Sequence, residues 1–217
     1  MKQQPAADSS PANGTPRRRR GWRLIVGLAI VLLIVPVAGY YAFRIYSRIN
    51  DRLSEVHAAH LWRAAQMPPA KLAKVCQDLG IRTVFDLREQ DPGETHCTDE
   101  GAALAAVGVR YVHIPSDQVP DMKDVNRFLD IMDKPENRPA LVHCKHGNGR
   151  TGVFAAVYRI EYQGWSNQNA RIEAQLFGGL RAFSNSREKG VFLMNYVPRA
   201  ARRKTPSHST TAPAHAH

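Results

Sequence analysis

Only three cysteines, Cys76, Cys97 and Cys144, occur in 217 residues, too few for a disulfide framework. An oxidising compartment would let Cys76 pair with Cys97, whereas the apolar run KLAKVC around Cys76 equally suits a small buried side chain. Acidic residues are also scarce, 19 against 30 Lys and Arg, for a formal charge of +11. That excess lies in the tails. Lys2, Arg17–Arg20 and Arg23 against Asp8 give residues 1–23 a charge of +5, and Arg199, Arg202, Arg203 and Lys204 give residues 199–217 +4, leaving +2 for the rest. A basic stripe interleaved with stacking aromatics is therefore missing, and no nucleic-acid partner is expected. No internal repeat is present. With 43% hydrophobic residues, the chain suits one compact domain plus tails.

Charge is absent altogether from Leu24–Phe43, 20 residues reading LIVGLAIVLLIVPVAGYYAF, enough for a helix across a hydrocarbon core. Trp22 stands at one end and Tyr40, Tyr41 and Tyr46 at the other, as interface aromatics would, and Pro36 is tolerable inside a membrane helix. A cleaved signal peptide is the alternative, with Val37-Ala38-Gly39 as its cleavage site, but the apolar run exceeds a usual signal core. Arg17–Arg20 and Arg23 on the N-terminal flank against Arg44, Arg48 and Arg52 on the other place the N-terminus in the cytoplasm. Everything after Phe43 then lies across the membrane, in a bacterium the periplasm.

The expected organisation is a basic unstructured tail over 1–23, a transmembrane helix over 24–43, a helical stalk over 44–59, a domain over 60–198, and an unstructured tail over 199–217. His208, His215 and His217 in that last tail lack the fixed geometry of a metal site. Within the domain, strands are expected at 61–63, 83–88, 110–114 and 140–144, and helices at 69–79, 99–107, 122–133, 151–162, 167–177 and 187–196. Strands alternating with helices imply an α/β domain with a central, mostly parallel sheet.

The string V-H-C-K-H-G-N-G-R-T-G runs from Val142 through Gly152 at the junction of the strand 140–144 and the next helix. Backbone N–H groups and the positive helix end converge there on an anion. Lys145, His146, Gly147, Asn148, Gly149 and Arg150 form the candidate phosphate-binding loop, its glycines allowing close approach of an oxyanion. Cys144 at the base of this cradle is expected to be held as a thiolate, hence a nucleophile. Arg150 can fold over the loop and take two phosphoryl oxygens on its planar fork, a geometry Lys cannot supply.

HCKHGNGRTG resembles the active-site signature of the protein tyrosine and dual-specificity phosphatase superfamily, Cys, five residues, Arg, then Ser or Thr. The segments RAAQMP, GIRTVFDLR, YVHIPSD and FAAVYRIEYQGW extend the likeness to exported bacterial tyrosine phosphatases over residues 60–198. The resemblance implies a small dual-specificity-phosphatase-like domain in which Cys144 forms a phosphocysteine and Arg150 binds phosphate. It further implies that Thr151 assists thiolate departure and that His143 orients the loop and tunes the thiol. A carboxylic acid must protonate the leaving group. Of Asp117, Asp121 and Asp124, Asp117 lies in the loop that corresponds to the family's acid loop, while Asp121 suits the start of the next helix.

Neither metal nor cofactor is expected, and the partner is a phosphotyrosyl protein or another phosphomonoester. Lys145 and His146 would also suit a phospholipid or phosphoinositide substrate. Two further readings are a non-catalytic phosphate-binding module and rhodanese-like sulfur transfer, the latter disfavoured by Arg150-Thr151-Gly152. Asp86 and Arg88 are expected to pair within the scaffold, and Trp165 to pack in the core.

Overall fold

The computed structural model describes residues 17–90, 93–179 and 181–204. The chain divides into two compact units, Met1–Tyr46 and Ser47–His217. The first helix, α1 (Arg17–Ile49), contains Pro36, and its stretch Trp22–Ile49 is long and apolar enough to cross a membrane. Its Leu24, Ile25, Leu28, Leu32 and Leu33 are exposed, a run of apolar surface that water does not tolerate on a lone helix.

The expected stalk is shorter than the sequence implies. The helix stops at Ile49, where Asp51 and Arg52 turn the chain with φ of 48° and 53°, left-handed backbone that ends a right-handed helix. The sheet then begins with β1 (Ser54–His57), inside the segment expected to be stalk. It continues through β2 (Leu61–Ala65), β3 (Thr83–Asp86), β4 (Arg110–His113) and β5 (Ala140–Cys144), in the spatial order β1-β2-β5-β3-β4. Only the β1 edge is antiparallel; β2, β5, β3 and β4 run parallel.

Buried on both faces, β3 and β5 carry the continuous apolar runs such strands need. Alternation along them assigns each residue to a face. Val84 and Leu141 face one core with Leu72 and Cys76 of α2 (Pro69–Leu79) and Leu104 of α3 (His96–Ala105). Phe85 and Val142 face the other, with Phe128 of α4 (Met122–Met132) and Phe154 and Val157 of α5 (Arg150–Gln163). Phe85, Phe128 and Phe154 meet edge to face at 4.9 and 5.3 Å between ring centroids. Each such buried side chain contributes roughly 1.5–3 kcal/mol of apolar burial. This second layer is completed by α6 (Asn167–Gly178) and α7 (Glu188–Asn195).

Cys76 is free and fully buried, and burial pushes its thiol up to about 12. Trp165 packs partly buried against the core, with the Arg159 guanidinium 4.5 Å over its ring. The C-terminal tail also departs from expectation. Residues Arg199–Lys204 form α8, and Arg199 binds Asp133 at 2.8 Å and Glu161 at 3.3 Å. Charge pairing thus orders the first part of a segment whose composition reads as unstructured. Residues 1–16 of the tail expected over 1–23, all of 205–217 and the three tail histidines lie outside the described residues, whereas 17–23 belong to α1 rather than to an unstructured tail.

Candidate active site

Parallel strands bring their C-terminal ends to one edge of the sheet, where loops can converge on a ligand. Ala65 is opposite Cys144 and Asp86 opposite His143, and Asp86 is in turn paired with His113. The ladder is extended beyond the strand ends by Gln66 N–H donating to the Cys144 carbonyl at 3.0 Å and Leu87 N–H to the His143 carbonyl at 3.0 Å. The segments after β2, β3 and β4 are thereby held around the loop that follows β5.

Cys144, 5% exposed, ends β5, and Arg150 opens α5. Between them the chain reverses over five residues. Gly147 has φ +63°, and a Cβ there would sit 2.5 Å from the Ala65 nitrogen and 2.6 Å from the Ala64 oxygen. Both the backbone conformation and the close approach to β2 demand glycine. On the outer side, Arg52 Nη1 donates to the His146 carbonyl at 2.8 Å. Fixing that carbonyl outward turns the N–H of the next residue, across the same planar peptide, toward the opposite side. Asn148 accepts the Gly149 N–H on its own side chain at 2.8 Å. Lys145 and His146 are exposed, and Lys145 lines a cleft of about 820 Å³ with Gln66, Arg88, Glu89, His96 and Arg150.

Arg150 lies across this cleft, with Nη1 donating to the Leu87 carbonyl at 2.9 Å and Nη2 3.1 Å from the exposed Glu89 carboxylate. Its Nε and the Thr151 hydroxyl are buried and have no hydrogen-bond partner among the described residues. Buried donors are ordinarily satisfied. Two left over beside one loop suit a group accepting bonds there.

Beneath the loop lies a buried ionic network. The Arg88 guanidinium is bidentate on Asp86, at 2.8 and 2.7 Å, and Nη2 also binds Glu100 at 2.7 Å. The other Glu100 oxygen is 2.7 Å from His143 Nε2, which fixes the ring next to Cys144 in the chain. The expected Asp86–Arg88 pair is thus part of a larger assembly. Burial alone would raise Asp86, but hydrogen bonds from Arg88 and the nearby His143 hold its carboxyl well below the usual range. Burial disfavours the charge on Arg88 too, and the carboxylates of Asp86 and Glu100 outweigh it and push that group up. Breaking such a pair would leave an uncompensated buried charge, at a cost of about 3–5 kcal/mol.

Cys97 belongs to this network. Its thiol lies 3.6 Å from Asp86 and 3.7 Å from His113, and burial, with the Asp86 charge among the further causes, pushes it up. That environment keeps a thiol protonated. Asp86, Cys97 and His113, and Asp86, Glu100 and His143, also cluster closely enough to hold a cation. Arg88 and the Tyr111 hydroxyl already occupy the Asp86 oxygens, so a metal would have to displace a bidentate guanidinium.

Asp117 and Gln118 are exposed, between buried Ser116 and Pro120 in the loop after β4. Asp121 instead caps α4, accepting the Asp124 N–H at 2.8 Å. Gln118 meets Lys189 of α7, whose Nζ donates to its Oε1 at 2.6 Å. Arg52, Glu89, Glu100 and Lys189 had no sequence signal. Separations such as 94 residues for Arg52 to His146 and 71 for Gln118 to Lys189 are closed only by the fold.

The sequence family described as DSP-PTPase phosphatase fused to NAD+ kinase matches residues 35–188, most of the chain and the whole of the loop. The chain belongs to this family. Among DSP-PTPase relatives, the dual specificity protein phosphatase TpbA of Pseudomonas aeruginosa UCBPP-PA14 is 37% identical over 120 residues, 54% of this chain and 51% of the relative. The chain spans about half the length of the curated relatives it matches. The crystal structure of P. aeruginosa TpbA superposes with a TM-score of 0.51 at 33% identity, covering 64% of this chain and 81% of that one. The core catalytic domain of the S. cerevisiae PP-IP phosphatase SIW14 shares the fold, with a TM-score of 0.55 at 20% identity over 68% and 86% of the two chains. The α/β architecture expected from the sequence is the DSP-PTPase one, with a mixed sheet flanked by helices.

Proposed function

We propose that this DSP-PTPase domain is a cysteine-dependent phosphomonoesterase with Cys144 as nucleophile, acting on phosphotyrosyl proteins or with dual specificity. What supports the reading is the junction of β5 and α5, where Cys144 ends the strand, the chain turns through Gly147, and Arg150 opens the helix and lines the cleft. The Cys144 thiolate attacks phosphorus as the ester oxygen leaves, giving a phosphocysteine. Arg150 holds the equatorial oxygens, where charge develops. Water then attacks the phosphocysteine, Thr151 donating to the departing sulfur. His143, fixed by Glu100, holds the ring and loop in register, and Lys145, His146, Asn148 and the glycine N–H groups frame the anion.

Asp117 serves as the acid that protonates the leaving oxygen and then as the base for water. Asp117→Asn is expected to lower turnover of phenyl phosphate, an aryl ester with a poor leaving group, by about 100-fold or more. Asp121→Asn, which alters only a helix cap, costs less than about tenfold. The reverse order in steady-state kinetics contradicts the assignment.

The reading is tested on the full chain in detergent, with reductant and without added metal, by phosphate release from phosphotyrosine peptide, phosphothreonine peptide and phosphoinositide. Preference for the peptides supports it. Preference for the lipid selects the second reading, which the Lys145 side chain on the Arg150 cleft favours. Binding without turnover leaves a phosphate-binding module.

The apolar helix α1 is proposed to anchor the chain in a membrane with the domain on the periplasmic side. Alkaline phosphatase fused after residue 60 is then active in intact cells; activity confined to lysed cells reverses the topology.

A further inference from the structure

Lys189 reaches the phosphate loop from α7, far along the chain from Cys144. A Cβ built on Gly149 would lie 3.0 Å from Lys189 Nζ and 3.1 Å from Gln118 Oε1. The Lys189–Gln118 hydrogen bond of 2.6 Å therefore closes over the Gly149 edge of the loop, where any side chain at that position would meet it. The base of α7 is held tightly. A Cβ on Gly190 would fall 2.0 Å from the Ser184 oxygen, and Phe183, fully buried, fills the space against Gly152 and Gly178. These contacts fix Lys189 relative to the first turn of α5, which carries Arg150.

The amine lies in the field of the reacting groups. Burial pushes it down, Cys144 favours its charge, and Arg150 opposes it. Its partner Gln118 adjoins Asp117 in the exposed middle of a loop whose flanks, Ile114, Ser116 and Pro120, are buried. Anchored ends leave that middle as the part a single bond can fasten.

Resting on the phosphatase reading above, we propose that Lys189 is a positioning residue for the general acid. Through Gln118 it fastens the loop of Asp117 to the Gly149 edge of the phosphate loop. In the step it serves, the S–P bond forms as the P–O bond breaks, and the Asp117 proton passes to the departing oxygen. An ester with a poor leaving group needs that proton; one with a good leaving group needs it little.

The test compares phenyl phosphate with 4-nitrophenyl phosphate on the full chain in detergent. Lys189→Met and Gln118→Leu are expected to lower kcat/KM, which reports the steps through phosphocysteine formation, about tenfold or more on phenyl phosphate and less than about threefold on 4-nitrophenyl phosphate. Lys189→Arg restores most of the loss. Added to Asp117→Asn, Lys189→Met costs less than about twofold more, because residues acting as one unit are non-additive. Equal losses on both esters, losses that multiply with Asp117→Asn, or no loss overturn the proposal. Equal losses together with slower alkylation of Cys144 by iodoacetamide also overturn it, assigning Lys189 to the thiolate instead. A wild-type chain that hydrolyses neither ester overturns the phosphatase reading itself.

Discussion

Cys144→Ser in the full chain is expected to lower phosphate release by at least about 100,000-fold while leaving binding of a phosphotyrosine peptide in place. The hydroxyl is nearly isosteric, and the glycine loop, Arg150 and the α5 N-terminus that bind the anion do not depend on sulfur. What is lost is the sulfur nucleophile, because a serine hydroxyl without an adjacent base stays protonated. Steady-state phosphate release and calorimetric titration check the two halves separately. Cys76→Ser and Cys97→Ser provide the contrast. Cys76 is buried between α2 and the sheet, and the Cys97 thiol is held by burial beside the Asp86 carboxylate. Turnover surviving Cys144→Ser and vanishing with Cys97→Ser would move the chemistry into the buried network.

Arg150→Lys is expected to reduce kcat/KM by about 1,000-fold or more, within the range of transition-state arginines. One arginine nitrogen, Nη1, rests on the Leu87 carbonyl and another, Nη2, on Glu89, which sets the plane of the fork across the cleft. A lysine keeps the charge but offers a single point of contact, and it loses both tethers. The loss should fall on kcat as well as KM, since the oxygens Arg150 holds gain charge in the transition state. A change in KM alone, measured by initial rates, would reduce Arg150 to a binding residue.

How much of this was legible in sequence depends on the range of the interaction. Cys144, Arg150 and Gly147 lie within one local string, and their placement follows from a strand-to-helix turn that local composition already specifies. Pro69–Leu79 and Ala140–Cys144 were legible to the residue, because a glycine stop ends one and a short, mainly apolar run bounded by Pro139 and the glycine loop forms the other. Asp121 at a helix start and Asp117 in the preceding loop were likewise separable by local chemistry. By contrast, Glu100 on His143 and Lys189 on Gln118 are matched only after α3 and α7 have packed, and surface polar residues carry no pattern announcing a partner. Ser54–His57 read as stalk because a four-residue edge strand has too little alternation to stand out from a mixed helical pattern. Arg199 was assigned to a tail by its neighbours' composition, whereas Asp133 and Glu161 supply the charges that hold it.

The most direct measurement is acid-quenched mass spectrometry of the full chain mixed rapidly with an aryl phosphate, followed by peptide mapping. A transient mass gain of one phosphoryl group is expected on the peptide containing Cys144, absent in Cys144→Ser and longer-lived in Thr151→Ala. Phosphate release with no phosphorylated Cys144 peptide at any quench time, or with the phosphoryl group on another residue, would contradict it.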